Sequence, residues 1–239
     1  MKKLYLIFLL LPNLQYNYCQ SATHTDSTIS NLKSFVDQLY GADYQLINGI
    51  RYIHLYPSAE GHPFLGEDRF YPGKLVINNI IYTDVEIKYD ICNQKIILQY
   101  PHFSGNTDKI ILNNEFIDEF EIDGRLFRKY AFTDVVPRFY QVVAPGDIDC
   151  IYYWNKELLK GISGNSFFSY SPEIKISYLV IDHKLYPFRG KRSFVKLFPS
   201  KYHKEIISFL KSNNIWFRDA NDTNIQHLLV YCNKLVQEN

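Results

Sequence analysis

The sequence predicts an α+β protein, mainly β: an antiparallel meander forming a curled sheet or half-barrel, followed by a C-terminal helical pair. Three observations carry this prediction. From Ile81 the side chains alternate, with Ile81, Thr83, Val85, Ile87, Tyr89 and Ile91 on one side and Tyr82, Asp84, Glu86, Lys88 and Asp90 on the other. Period-two alternation sets one face of a strand on a core and the other on water. The chain of 239 residues also carries 20 Tyr and 17 Phe, and aromatic and β-branched side chains favour strands. An AT-rich genome adds to this bias, since it also enriches Asn, Lys and Ile. Thirdly, after a long run of strand-like segments the pattern becomes helical from Ser193 onward.

The elements follow in chain order. Lys2 and Lys3 precede the apolar run Leu4 to Leu11, and Pro12 and polar residues follow. That order is a secretory signal peptide over residues 1–20, cut after Cys19 or Gln20. The apolar run is too short for a membrane helix, which needs about 20 residues. Cys19 follows Tyr16-Asn17-Tyr18 rather than the Leu and small residues of a lipoprotein site. The expected product is therefore exported, periplasmic or secreted, without a lipid anchor.

Residues 21–43 read as a polar lead and a short helix, in which Leu32, Phe35, Val36 and Leu39 share one face before Gly41 stops it. Residues 44–188 read as the antiparallel β domain. Asn48-Gly49 predicts a first hairpin, because both residues tolerate positive φ. Pro72-Gly73 predicts a turn into a three-stranded stretch, Gly73 to Tyr100, with hairpin turns at Asn78-Asn79 and Cys92-Asn93. Further strands are expected on either side of Asn113-Asn114, Asp123-Gly124 and Asp182-His183-Lys184, with a long aromatic strand from Ile148 to Lys160. Residues 189–239 read as helical and packed on the sheet. A short turn or helix spans Ser193 to Leu197, a helix capped by Ser200 runs to Asn213, and another runs from Asp222 to Val236.

Without Lys2 and Lys3 the chain holds 24 basic and 25 acidic residues, so it is nearly neutral. About 219 residues are enough to bury a sizeable core. Cys92, Cys150 and Cys232 cannot all pair within one chain, and no C-x-x-C pair occurs. Buried free thiols are expected, with one disulfide as the alternative.

His62 is the titratable residue of most interest. It sits in the Gly61-His62-Pro63-Phe64 loop with Glu60 close before it, and a His beside a carboxylate can do acid–base work. Asp90 ends the alternating strand and could orient His62, although an Asp before a turn more often caps backbone N–H groups. His54, His62 and His102 lack the compact spacing of a zinc site, so no metal is expected. Ser163 lacks the G-x-S-x-G frame of a nucleophile elbow. No Walker loop or dinucleotide fingerprint occurs, so no cofactor is implied.

Charge is unevenly spread. Between Arg189 and Arg218 lie eight basic residues, among them Lys191, Arg192, Lys196, Lys201 and Lys204, against Glu205 alone. Two solvated faces would explain this, as would a surface for an anionic partner. Export argues against nucleic acid and favours anionic lipid, lipopolysaccharide or a polyanionic glycan.

Several short patterns resemble secreted proteins of Bacteroidetes with no established activity. They are Asn48-Gly49-x-x-Tyr52, Gly61-His62-Pro63-Phe64, Tyr89-Asp90-Ile91, Gly124-x-x-Phe127 and Phe139-Tyr140. In the tail they are Lys191-Arg192-Ser193, Lys204-Glu205-Ile206-Ile207 and Tyr231-Cys232-Asn233-Lys234-Leu235. Arg138 departs from the pattern, which often has Gly before Phe-Tyr. The resemblance implies a bacterial exported β-rich module and transfers no catalytic residue.

The first functional expectation is a non-catalytic binding or interaction module of the cell envelope. Tyr152, Tyr153 and Trp154 are its candidate ligand-binding residues for an apolar or glycan ligand, and an envelope protein is a further candidate partner. One alternative is a hydrolase-like enzyme using His62 with a carboxylate such as Glu60 or Asp90. Another is an envelope-surface protein that docks through its basic C-terminal helices.

Overall fold

The computed structural model describes residues 43–102, 105–133, 135–161 and 167–237. The predicted signal peptide, the short helix over Leu32 to Leu39 and Ser163 lie outside the described residues. The strands are β1 (Gly49–Arg51), β2 (Tyr71–Ile77), β3 (Ile80–Asp90), β4 (Lys95–Pro101), β5 (Thr107–Leu112), β6 (Ile117–Ile122), β7 (Arg125–Phe132), β8 (Val135–Ala144), β9 (Asp149–Asn155), β10 (Leu158–Lys160), β11 (Phe168–Tyr170), β12 (Ile174–Ile181) and β13 (Lys184–Phe188). The helices α1 (Lys191–Val195), α2 (His203–Ser212) and α3 (Asp222–Gln237) follow. No described helix is long and apolar enough to cross a membrane.

One antiparallel sheet runs in the order β1-β5-β4-β3-β2-β6-β7-β8-β9-β12-β13, and β10 pairs with β11 separately. The expected α+β class is thus the observed one: a large open antiparallel sheet with C-terminal helices. Tight turns drive the hairpins. Asn78 and Asn79 have φ of 49° and 65°, and Asp123 and Gly124 have 52° and 67°, the left-handed pair that a two-residue hairpin loop requires. Asp182 and His183 turn β12 into β13 in the same way.

The sheet curls because its short links and its core demand it. Between β5 and β6 lie only Asn113 to Phe116, yet three strands separate the two in the sheet. Four interstrand steps of about 4.8 Å would put them about 19 Å apart on a flat sheet, whereas the five Cα–Cα steps from Leu112 to Ile117 reach at most about 18 Å. Ring contacts agree. Tyr89 on β3 meets Phe139 on β8 at 6.5 Å between centroids, and Phe120 and Phe127 at 5.1 and 5.3 Å. The first half of the sheet therefore wraps around its own aromatic side chains. Its core also holds Leu75, Ile87, Ile96, Leu98 and Ile117.

A second core lies under the helices. Phe194 and Val195 of α1, Ile206 and Leu210 of α2, and Ile225, Leu228, Leu229 and Cys232 of α3 pack on Val143, Cys150, Tyr152 and Leu179. Asn233 clasps α3 to the sheet: its Oδ1 accepts the Ile148 N–H at 2.8 Å and its Nδ2 donates to the Ile148 carbonyl at 3.1 Å. Cys92 is half-buried and Cys150 and Cys232 are buried, and all three are free thiols.

Several sequence expectations are corrected. Alternation fails before Val85, where Tyr82 is buried while Ile81 is 59% exposed. Asp84 has φ +57°, and the β2–β3 register slips between Gly73 and Leu75. This β-bulge inserts a residue and swaps the faces, as a one-residue slip must. Asn48-Gly49 does not form a hairpin, because Gly49 lies in β1 opposite Leu112. A Cβ there would sit 2.2 Å from the Ile111 carbonyl oxygen, so close strand approach, rather than a turn, requires this glycine. Pro72-Gly73 likewise lies inside β2. Ser200 does not cap a helix through its side chain; it opens a 3-10 turn leading into α2. The expected strand from Ile148 to Lys160 breaks between β9 and β10.

Candidate functional site

The segment from Glu60 to Gly66 is held on both sides. On one side the Glu60 N–H donates to the Phe168 carbonyl at 3.0 Å and the Tyr170 N–H to the Glu60 carbonyl at 2.9 Å, joining it to β11. On the other side the Leu65 N–H donates to the Tyr89 carbonyl and the Ile91 N–H to the Pro63 carbonyl, joining it to the end of β3. Gly61 and Gly66 adopt φ of 78° and 69°, which lets the chain bend between these two attachments.

Beside this segment opens a cleft of about 660 Å³. Glu60, His62, Lys156, Ser169, Tyr170 and Glu173 contribute to its walls. Lys156 follows β9 and is only 7% exposed. Its ammonium donates to the His62 carbonyl at 3.1 Å and to the Phe64 carbonyl at 2.8 Å, and lies 4.0 Å from the Glu173 carboxylate. Glu173 in turn accepts the Gly66 N–H at 2.7 Å. Burial lowers the Lys156 pKa below the usual lysine value, opposed by the Glu173 charge.

His62 Nδ1 accepts the Phe64 N–H at 3.3 Å, and its ring stacks near that of Phe64 with centroids 5.9 Å apart. Accepting at Nδ1 requires the neutral ring with its proton on Nε2. Burial, reinforced by the Lys156 charge, lowers the His62 pKa below the ordinary 6.5, against the opposing effects of Asp68 and Glu173. A histidine with a depressed folded pKa adds stability above its unfolded pKa and loses it as pH falls toward the folded value. We expect the 62–66 loop to loosen as pH falls below about 6.5. A titration of the His62 imidazole followed by NMR checks this, and a midpoint at or above 6.5 would contradict it.

The other sequence candidates lie as follows. Glu60 shares the cleft with His62, but no hydrogen bond or ion pair joins them among the described residues. Asp90 is buried at the end of β3. It accepts the Cys92 N–H at 3.0 Å, the Asn93 N–H at 2.8 Å and the Asn93 amide at 2.8 Å. Burial raises its carboxyl pKa and these bonds oppose the rise. This is the turn-capping arrangement of an Asp that precedes a tight turn.

Tyr152, Tyr153 and Trp154 are consecutive on β9 and so divide between its faces. Tyr152 is buried under the helices. Trp154 lies at the seam of the two main cores, donating from Nε1 to Gln141 Oε1 at 2.8 Å. Tyr153 joins Tyr130, Phe132, Tyr140 and Tyr178 on the opposite face, with Arg138 5.3 Å above its ring. Lys191, Arg192, Lys196, Lys201 and Lys204 are all exposed on and between α1 and α2. His54 stacks on Tyr52 and His102 lies 3.9 Å from Asp108. No set of three His, Cys, Asp or Glu able to hold a metal gathers among the described residues.

Sequence reasoning missed Lys156, Glu173 and Tyr170. One signal was available: Lys156 is a lone cation within the aromatic run from Ile148 to Leu159, and a lysine there must find partners or leave the core. No family model matches the chain, no curated protein is similar to it, and no solved structure matches its fold.

Proposed function

We propose that the chain is a non-catalytic binding module of the bacterial cell envelope, exported to the periplasm or beyond, and that its cleft takes a short glycan. The observation that carries this reading is the open cleft of about 660 Å³, a size suited to a small ligand. Among the residues that line it are the aromatic Tyr170, the hydroxyl-bearing Ser169 and Ser171, and the acidic Glu60 and Glu173. Sugars present both apolar C–H faces and many hydroxyls, so a ring beside polar groups fits them better than it fits a lipid tail. The titratable groups best placed to react are also engaged: Lys156 holds two carbonyls, Glu173 holds the Gly66 N–H and His62 holds the Phe64 N–H.

The test is calorimetric titration of the intact chain with a panel of neutral and acidic oligosaccharides. At least one is expected to bind, and Tyr170→Ala to weaken that binding at least about tenfold, about 1.4 kcal/mol. Binding unaffected by Tyr170→Ala, or absent across the panel, would remove the reading. Release of a shortened sugar would replace it with a hydrolase in which His62 acts with a neighbouring carboxylate.

A further inference from the structure

The structure leaves a second surface unaccounted for by the cleft. Lys191, Arg192, Lys196, Lys201, Lys204 and Lys211 are exposed. None of them forms an ion pair with a described residue. On α2, Lys204, Ile207 and Lys211 recur at i, i+3 and i+7 and so form one ridge, and Ile207 is 39% exposed. The acids nearby are few: Glu205 in the first turn of α2, and Asp219, which lies 3.9 Å from Arg218.

Beyond α2 the chain turns at Asn214, with φ +53°. Ile215 is buried, while Trp216 is 71% exposed. Phe217 returns to the core, its ring 5.1 Å from Phe194 of α1 and 5.8 Å from Phe188. That anchor sets the turn carrying Trp216 against the helix that carries Lys191 and Arg192. Trp216 is thus a large exposed indole on a turn anchored to α1 through Phe217, and it has no role in the core.

We infer that this surface docks on an anionic lipid bilayer, with the cations facing the headgroups and Trp216 inserting at the interface. Charge complementarity selects an anionic partner. The indole selects a bilayer over a free polyanion, because Trp ranks among the residues that settle at the membrane–water boundary.

The chain has two tryptophans, Trp154 and Trp216, so emission reports on the docking directly. The intact chain is mixed with vesicles of equal parts phosphatidylcholine and phosphatidylglycerol, and separately with vesicles of phosphatidylcholine alone. It is expected to sediment with the anionic vesicles only and to show a blue shift that Trp216→Phe abolishes. Lys201→Glu with Lys204→Glu, or a rise in salt from about 0.1 M to about 0.5 M, should weaken the association at least about tenfold through lost attraction and screening. Circular dichroism confirms that these surface variants stay folded. Equal binding to both vesicles, indifference to salt, or no association overturns the inference. Tight binding to heparin without vesicle binding or a blue shift also overturns it, pointing to a soluble polyanion instead.

Discussion

Phe120→Ala is expected to destabilise the fold by about 3–5 kcal/mol, the range for removing a fully buried aromatic ring. Phe120 on β6 is completely inaccessible. It stacks on Phe127 at 4.8 Å and meets Tyr89 and Phe139 edge-on, each at 5.1 Å. Those three rings stand on three other strands, so no single side chain can move in to fill the space. Without the ring, the wrapped half of the sheet loses the centre around which it curls. Urea unfolding checks this, with a lower midpoint and an unchanged slope expected. Phe167→Ala is the control, since that residue is 85% exposed, and a surface change of this kind should stay within about 0.5 kcal/mol. Similar losses for the two variants would mean that the curled core is not the source of stability described above.

Lys156→Ala is expected to cost about 2–4 kcal/mol, because it leaves two carbonyls in the loop without a donor. The ammonium is the point at which His62, Phe64 and Glu173 are tied to β9. Lys156→Met keeps the apolar stem and removes a desolvated charge, so part of the loss is recovered. Both variants should free the segment from Glu60 to Gly66 while the cores stay intact. Urea unfolding gives the first quantity, and limited proteolysis around residue 62 gives the second. Unchanged stability together with unchanged protease resistance would show that Lys156 does not hold this loop.

Much of the β architecture was legible because it is local. Asn78-Asn79, Asp123-Gly124 and Asp182-His183 mark hairpins through residues that tolerate positive φ, and all three turn as expected. The helices were legible from the spacing of Ile206 and Leu210, and of Ile225, Leu228, Leu229 and Cys232. Errors arose where tertiary contact decides. The same Gly that favours a turn at Asn48-Gly49 serves close strand approach, and nothing near it in sequence distinguishes the two uses. The bulge at Asp84 depends on the register against Gly73, and it moved Ile81 to the exposed face. His62 and Glu60 were visible as a pair in a loop. Their cleft was not, because Lys156 reaches the His62 carbonyl across 94 residues and Glu173 reaches Gly66 across 107.

The most direct measurement is hydrogen exchange of the intact chain with and without an oligosaccharide drawn from the binding panel. Slower exchange is expected in two stretches, Glu60 to Gly66 and Phe168 to Glu173, which form the walls of the cleft. The sugar should be recovered unchanged. Protection confined to the face of Tyr130, Phe132, Tyr140, Tyr153 and Tyr178, or none at all, would contradict a binding site at the cleft.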